Sequence, residues 1–327
     1  MADITLKDVA SRAGVSVAAV SQALNGRGSL RADTRARIRS IADELGYAPN
    51  AYAAALRRGR TMSIGYVVAD RHDVASEKRW AIGYTRQLTA LVQEAARHGF
   101  TITVVPAERP DLVRGARLDA IYFADPRPTD PVLCEAMRLG IAIVANDLPL
   151  PGTTGIEIRT GYEDATHAGL DLLARSGARR IALLTKERGR PNDELGEDVY
   201  RAWCADAGRE PVVARAGGER GDLEDAVRLL LTARVDAIYS FLEEGPAVYL
   251  ELERTSLVIP RDLQLVTLCV HDCALNERLG VTRTCVHPEQ GPALMIDTLS
   301  ALLSAGGETR TVVSLPWELV HGSTTRL

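Results

Sequence analysis

Apolar residues in the first fifty positions fall into three short groups, each at helical spacing. Val9, Ala10 and Ala13 share one helical face, and Val17, Val20 and Leu24 share another. Gly14 stands between them, where a sharp bend needs a backbone free to take positive φ. Two helices joined by a three-residue turn follow from this spacing. The stretch ADTRARIRSIADELG, residues 32–46, predicts a third helix with Ile38, Ile41, Ala42 and Leu45 inward and Gly46 as its stop. Next, YAPNAYAAALRRGRT at 47–61 starts on a Pro-Asn signal and runs through alanines to Arg57 and Arg58. A helix of about nine residues is marginal alone, so this segment is expected to fold against a partner.

After Met62 the pattern becomes short apolar runs alternating with amphipathic stretches. SIGYVVA, FTITVVP, DAIYFAD, IAIVAND, RIALLT, PVVAR, DAIYSFL, LQLVTL, TRTCVHP and RTVVSLPWELV read as strands. Helices are expected around 80–97, 131–139, 161–176, 193–207, 222–233, 246–254 and 289–304. Such alternation indicates parallel sheets covered on both faces. RLDAIYFAD at 117–125 recurs as RVDAIYSFL at 234–242, which points to two similar lobes rather than one long sheet. Two α/β lobes leave a cleft, and ligands collect there at the carboxyl ends of strands.

Charge divides the chain along the same line. Residues 1–60 hold ten Lys/Arg against five Asp/Glu, a balance of +5, whereas the whole chain carries −4 and the remainder therefore −9. A basic head on an acidic body suggests that the head meets an anion such as nucleic acid. No basic start is followed by an apolar run, and no stretch approaches eighteen consecutive apolar residues, so a cytoplasmic protein without membrane contact is expected. Five cysteines, an odd number with no CxxC pair, fit reduced thiols and no disulfide framework.

TLKDVASRAGVSVAAVSQALNG, followed by TRARIRSIADELGYAPNAYAAALRRGRTMSIG, resembles the head and hinge of the lac repressor (LacI) family of bacterial transcription regulators. The resemblance implies an all-α helix-turn-helix head on an α/β periplasmic-binding-protein-like core of two Rossmann-like lobes. It divides the chain into a DNA-binding head at 1–46, a hinge at 47–61 and a core at 62–327. The N-lobe would be about 62–157 with 289–308, and the C-lobe about 158–287 with 309–327. Partners implied are operator DNA, a small-molecule effector and a second copy of the chain. By the resemblance, Val17, Ala18 and Gln22 read bases, and Thr5, Leu6, Ser16, Ser21, Asn25, Arg31 and Thr34 meet phosphates. Ser16 also suits the N-cap of the reading helix. Gln22 stands where many relatives carry arginine, and glutamine prefers the N6/N7 edge of adenine. Arg31 stands where a capping serine is common. The hinge assigns Asn50, Ala53 and above all Leu56 to the minor groove, Leu56 as a wedge.

For the effector, the resemblance offers Arg201, with Trp203, His271, Asp272 and His287 as companions. Trp203 also suits a buried helix face. The acidic residues usual after the two central C-lobe strands are displaced or lost, so a standard sugar site is not expected. The triplet Cys-Val-His occurs at 269–271 and again at 285–287, and strand alternation aims each thiol and imidazole to one side. A metal- or thiol-responsive regulator is the alternative reading, although the spacing matches no standard zinc pattern. No P-loop, dinucleotide fingerprint, nucleophile elbow or H-E-x-x-H motif occurs, so neither catalysis nor a cofactor is expected.

Overall fold

The computed structural model describes residues 4–24, 30–47, 60–68, 77–150, 154–186, 191–217, 220–242, 245–270, 273–305 and 310–326. The chain divides into two compact units, Met1–Met62 and Ser63–Leu327.

Among the described residues, three helices build the first unit: α1 (Leu6–Ala13), α2 (Val17–Leu24) and α3 (Ala32–Glu44). Val9, Ala10, Ala13, Val20, Ala23, Ile38 and Ala42 form its core, with Leu24, Ile41 and Leu45 packed against it. Val17 departs from the expected inward face: it is 41% exposed, because the buried stripe of α2 runs through Val20 and Ala23 instead. Gly14 ends α1 at φ 64°, in the left-handed region. Thr5 and Asp8 close the start of α1, the Thr5 amide and hydroxyl both donating to the Asp8 carboxylate at 2.8 and 2.6 Å. Ser16 accepts from the Ala19 amide at 3.1 Å and so caps α2 as its residue type predicts.

The second unit alternates strand and helix. Its strands are β1 (Ser63–Val68), β2 (Thr101–Pro106), β3 (Ala120–Phe123), β4 (Ala142–Asn146), β5 (Gly155–Arg159), β6 (Ile181–Thr185), β7 (Val212–Arg215), β8 (Ala237–Ser240), β9 (Gln264–Cys269), β10 (Thr282–Val286), β11 (Arg310–Ser314) and β12 (Trp317–Val320). Its helices are α4 (Glu77–Arg97), α5 (Pro110–Gly115), α6 (Pro131–Arg138), α7 (Tyr162–Arg175), α8 (Pro191–Asp206), α9 (Arg220–Thr232), α10 (Gly245–Glu253), α11 (Cys273–Arg278) and α12 (Gly291–Ala305). Two six-stranded sheets result, ordered β11-β5-β4-β3-β1-β2 and β12-β10-β9-β8-β6-β7. The two orders are superimposable, β3 answering to β8 and β5 to β10. The sequence echo is thus the same central strand in each lobe, and its likeness extends to the backbone. Arg117 and Arg234, three residues before each strand, both take positive φ, at 43° and 53°.

The chain passes between lobes after β5, after β10 and between β11 and β12. The last passage differs from the expected boundary near 308. β11 pairs in parallel with β5, Arg310 opposite Gly155 and Ser314 opposite Arg159, and so belongs to the N-lobe. β5 likewise keeps Ile158 and Arg159 in that lobe rather than ending at 157. RTVVSLPWELV, expected as one strand segment, is two strands, and Pro316 lies between them where the chain changes sheets.

Candidate functional site

The face of α2 opposite Val20 and Ala23 carries Val17, Ala18 and Gln22, all exposed. Their helical positions span less than half a turn of the circumference, the width with which one helix meets a groove. Ser16 and Thr5 are exposed at the starts of α2 and α1, Arg31 is exposed at the start of α3, and Leu6, Ser21 and Thr34 are half-buried. Arg31 occupies the N-cap position of α3 with extended backbone and makes no side-chain cap there. Asn25, Asn50, Ala53 and Leu56 lie outside the described residues.

Two arginines of α3 brace the other two helices, Arg37 the end of α1 and Arg39 the end of α2. Arg37 Nη2 donates to the Ala13 carbonyl at 3.0 Å, and Arg39 Nε donates to the Ala23 carbonyl at 3.2 Å. Carbonyls in the last turn of a helix have no intrahelical donor, and a cation placed there also meets the negative end of the helix dipole. Nothing in a helical periodicity distinguishes such arginines from surface ones.

In the core, the strand ends of both lobes supply polar groups to the cleft. On the N-lobe side, the turn after β3 carries Asp125, 8% exposed, which accepts from the Tyr84 hydroxyl at 3.4 Å. Arg127 follows, and its guanidinium meets Glu194 in the first turn of α8 at 3.4 Å, an ion pair between the lobes. On the C-lobe side, Thr185 ends β6 with a buried hydroxyl that has no hydrogen-bond partner, and Asp193 is 5% exposed beside Glu194. A buried polar atom without a partner costs roughly 1–3 kcal/mol, which a ligand hydrogen bond relieves. These five residues were not singled out as effector contacts by the sequence, because strand-end acids are ordinarily solvated.

The passages between lobes hold two further clusters. Asp147, just after β4, accepts from the amide and the hydroxyl of Thr160, which stands between β5 and α7. Burial pushes the Asp147 carboxyl up to about 6; the Thr160 hydrogen bonds oppose this and Glu157 and Glu163 reinforce it. His287, just after β10, has its Nδ1 3.3 Å from Glu289 and its Nε2 3.8 Å from Glu318.

Arg201 and Trp203 lie elsewhere. α8 starts at the cleft, and at 1.5 Å per residue Arg201 sits about 15 Å further along it. Arg201 pairs with Glu197 at 2.8 Å, and Glu197 also meets Arg215 of the edge strand β7 at 2.6 Å. Burial works against the Glu197 charge, and the two guanidiniums outweigh it and hold the carboxyl below its ordinary range. Trp203 is 8% exposed, donates to Asp171 at 2.9 Å and lies under the Arg209 guanidinium at 5.2 Å. Both therefore serve the flank of the C-lobe, where an i, i+4 carboxylate partner competes for the arginine. His271 and Asp272 lie outside the described residues. Among the described residues no group of three or more His, Cys, Asp or Glu is placed to hold a metal, and no helix is long and apolar enough to cross a membrane.

A helical head with the exposed face of α2, joined to two equivalent α/β lobes around a polar cleft, defines a DNA-binding transcription regulator with an effector-binding domain. Residues 5–50 match the profile of bacterial regulatory proteins of the lacI family, and residues 170–325 match the periplasmic binding protein-like domain. The chain is 30% identical over 254 residues to the HTH-type transcriptional regulator PtxS of Pseudomonas plecoglossicida, covering 74% of this chain and 69% of that protein. It is also 30% identical over 189 residues to AglR of Rhizobium meliloti, covering 55% and 52% respectively, about half of that relative's length. In fold it is similar to the lac repressor dimer bound to operator and the anti-inducer ONPF, with a TM-score of 0.72 at 19% identity over all of both chains. It is likewise similar to the CelR–cellobiose complex, with a TM-score of 0.62 at 22% identity over 98% and 99% of the chains. The chain belongs to the lacI family of bacterial regulatory proteins.

Proposed function

We propose that this protein is a repressor that binds a palindromic operator as a homodimer and changes its affinity when a small molecule enters the interlobe cleft. The observation that carries the reading is the exposed face of α2, where Val17, Ala18 and Gln22 stand together while Val20 and Ala23 hold the helix to the head. Gln22 recognises adenine by a bidentate contact, Val17 and Ala18 meet thymine methyl groups, and Thr5, Leu6, Ser16, Ser21, Asn25, Arg31 and Thr34 hold the phosphates. The hinge, through Asn50, Ala53 and Leu56, enters the minor groove between the half-sites, and Leu56 opens the central step. The effector is a small polar molecule held by Asp125, Arg127, Thr185, Asp193 and Glu194, with His287 at the rim; the family resemblance adds His271 and Asp272 as contacts. The protein works in the cytoplasm and turns over no substrate.

Selection of bound DNA from a random pool tests this reading. Two inverted half-sites are expected, and removal of residues 1–60 is expected to abolish binding while the core stays dimeric. Full-affinity binding to isolated, asymmetric half-sites contradicts it.

A further inference from the structure

The two Cys-Val-His triplets lie side by side. β9 and β10 are parallel neighbours, and their register sets Cys269 directly opposite Cys285. Both side chains are buried, at 2% and 1% exposure. Strand alternation puts them on the face that carries Leu265 and Thr267, and Leu265 packs there with Val248 and Leu252 of α10 and with Leu279. Each cysteine is therefore one of a pair held by the sheet, at the end of the strands that opens on the cleft.

The spacing of the sheet decides what such a pair can take. Neighbouring strands lie about 4.8 Å apart, and in-register side chains of a parallel pair leave the sheet side by side rather than converging. A disulfide needs its Cβ atoms about 3.5–4.5 Å apart and would have to draw the strands together. Two sulfurs bridged by one ion at about 2.3 Å from each stand about 4.6 Å apart, which the strand spacing already provides. Thiolate pairs select soft cations of low coordination number, Cu(I) above all. In binding, each thiol gives up its proton, so one Cu(I) and two thiols yield a bis-thiolate complex of charge −1 and two protons. The countercharge is built in: Arg283 is 7% exposed, lies two residues before Cys285 on the same strand face, and is the register partner of Thr267.

We propose that Cys269 and Cys285 form a two-coordinate site for a soft monovalent cation, Cu(I), inside the C-lobe. The site ties together two strands next to the crossing, because β10 leaves the lobe through His287 immediately after Val286. Ion binding is read directly and stands apart from the DNA-binding reading.

The test is anaerobic titration of the full-length protein with Cu(I) against bathocuproine disulfonate, for the wild type and for C269S, C285S, C134S and C204S. One tightly held ion per chain is expected in the wild type, C134S and C204S, with affinity falling by more than about tenfold in C269S and C285S. Absence of binding by the wild type, or wild-type affinity retained in C269S and C285S, overturns the proposal. X-ray absorption of the copper-loaded wild type needs no variant: two sulfurs in the first shell are expected, and a shell of nitrogen or oxygen alone overturns it.

Discussion

Arg127 and Glu194 meet across the cleft at 3.4 Å, the first on the strand-end turn of one lobe and the second in the opening turn of α8 on the other. The side chains are 38% and 35% exposed, so solvent screens the pair and its contribution to stability is about 0.2–1 kcal/mol. Its larger consequence is for lobe position, since the pair is broken when the lobes part. R127Q and E194Q are each expected to change effector-free operator affinity in the same direction, and the double variant no further. Additive effects in that double-mutant cycle would show that the two side chains act separately.

Asp147 gives the passage between the lobes a pH dependence whose sign is fixed. Its folded carboxyl is pushed up to about 6 by burial, above the ordinary value of 3.8 that it takes when unfolded. A group raised in this way favours the folded state fully below the unfolded value, and that contribution is lost as pH rises through about 6. Urea unfolding is therefore expected to show the wild type gaining up to about 2–3 kcal/mol relative to D147N between pH 7 and pH 4. A constant difference across that range would mean that the carboxyl is charged throughout.

Glu197 holds Arg201 and Arg215 on the flank of the C-lobe, with its own side chain 1% exposed. E197A is expected to lower stability by about 1–3 kcal/mol through loss of two charge-assisted hydrogen bonds. R201A is expected to leave effector-induced release from operator unchanged. T185V, at the cleft end of β6, is expected to weaken release, and calorimetry or gel shift with the identified effector separates the two. Loss of release in R201A with none in T185V would return the arginine to the site.

The architecture was legible because each layer repeats a simple period. Alternation of buried strands with amphipathic helices marked the strands of both sheets except β5, Gly155–Arg159, which was not read, and the DAIY echo marked the two central ones. The short helices α5 and α11, six residues each, were not read, because one and a half turns hold too few apolar positions to display a period. The passage at Pro316 was missed for a different reason: one apolar run contributes to both sheets, and hydrophobicity does not record which. In the head, the helices were legible from their apolar spacing, though Val17 was placed inward, but the bracing by Arg37 and Arg39 was not legible, since it depends on where helix ends meet in space. The polar cleft was the least legible. Arg201 carried the family pattern, yet Glu197 four residues earlier offers it a partner on its own helix. Thr185 carried no pattern at all and is marked only by a buried hydroxyl without a partner.

Arg39 offers a check on the head alone. Its bond to the Ala23 carbonyl fixes the last turn of α2, so R39A is expected to destabilise the head by about 0.5–1.5 kcal/mol and to weaken all sequences alike. A change in base preference with unchanged head stability would instead make Arg39 a reader.

The central claim is that α2 reads sequence through Gln22, and the most direct measurement is the base preference of Q22R against the wild type on a complete set of operator point variants. A switch from adenine to guanine is expected at one symmetric position of each half-site, with discrimination of about 1–3 kcal/mol and no change elsewhere. Identical preferences at every position for the wild type, Q22R and Q22A would contradict it.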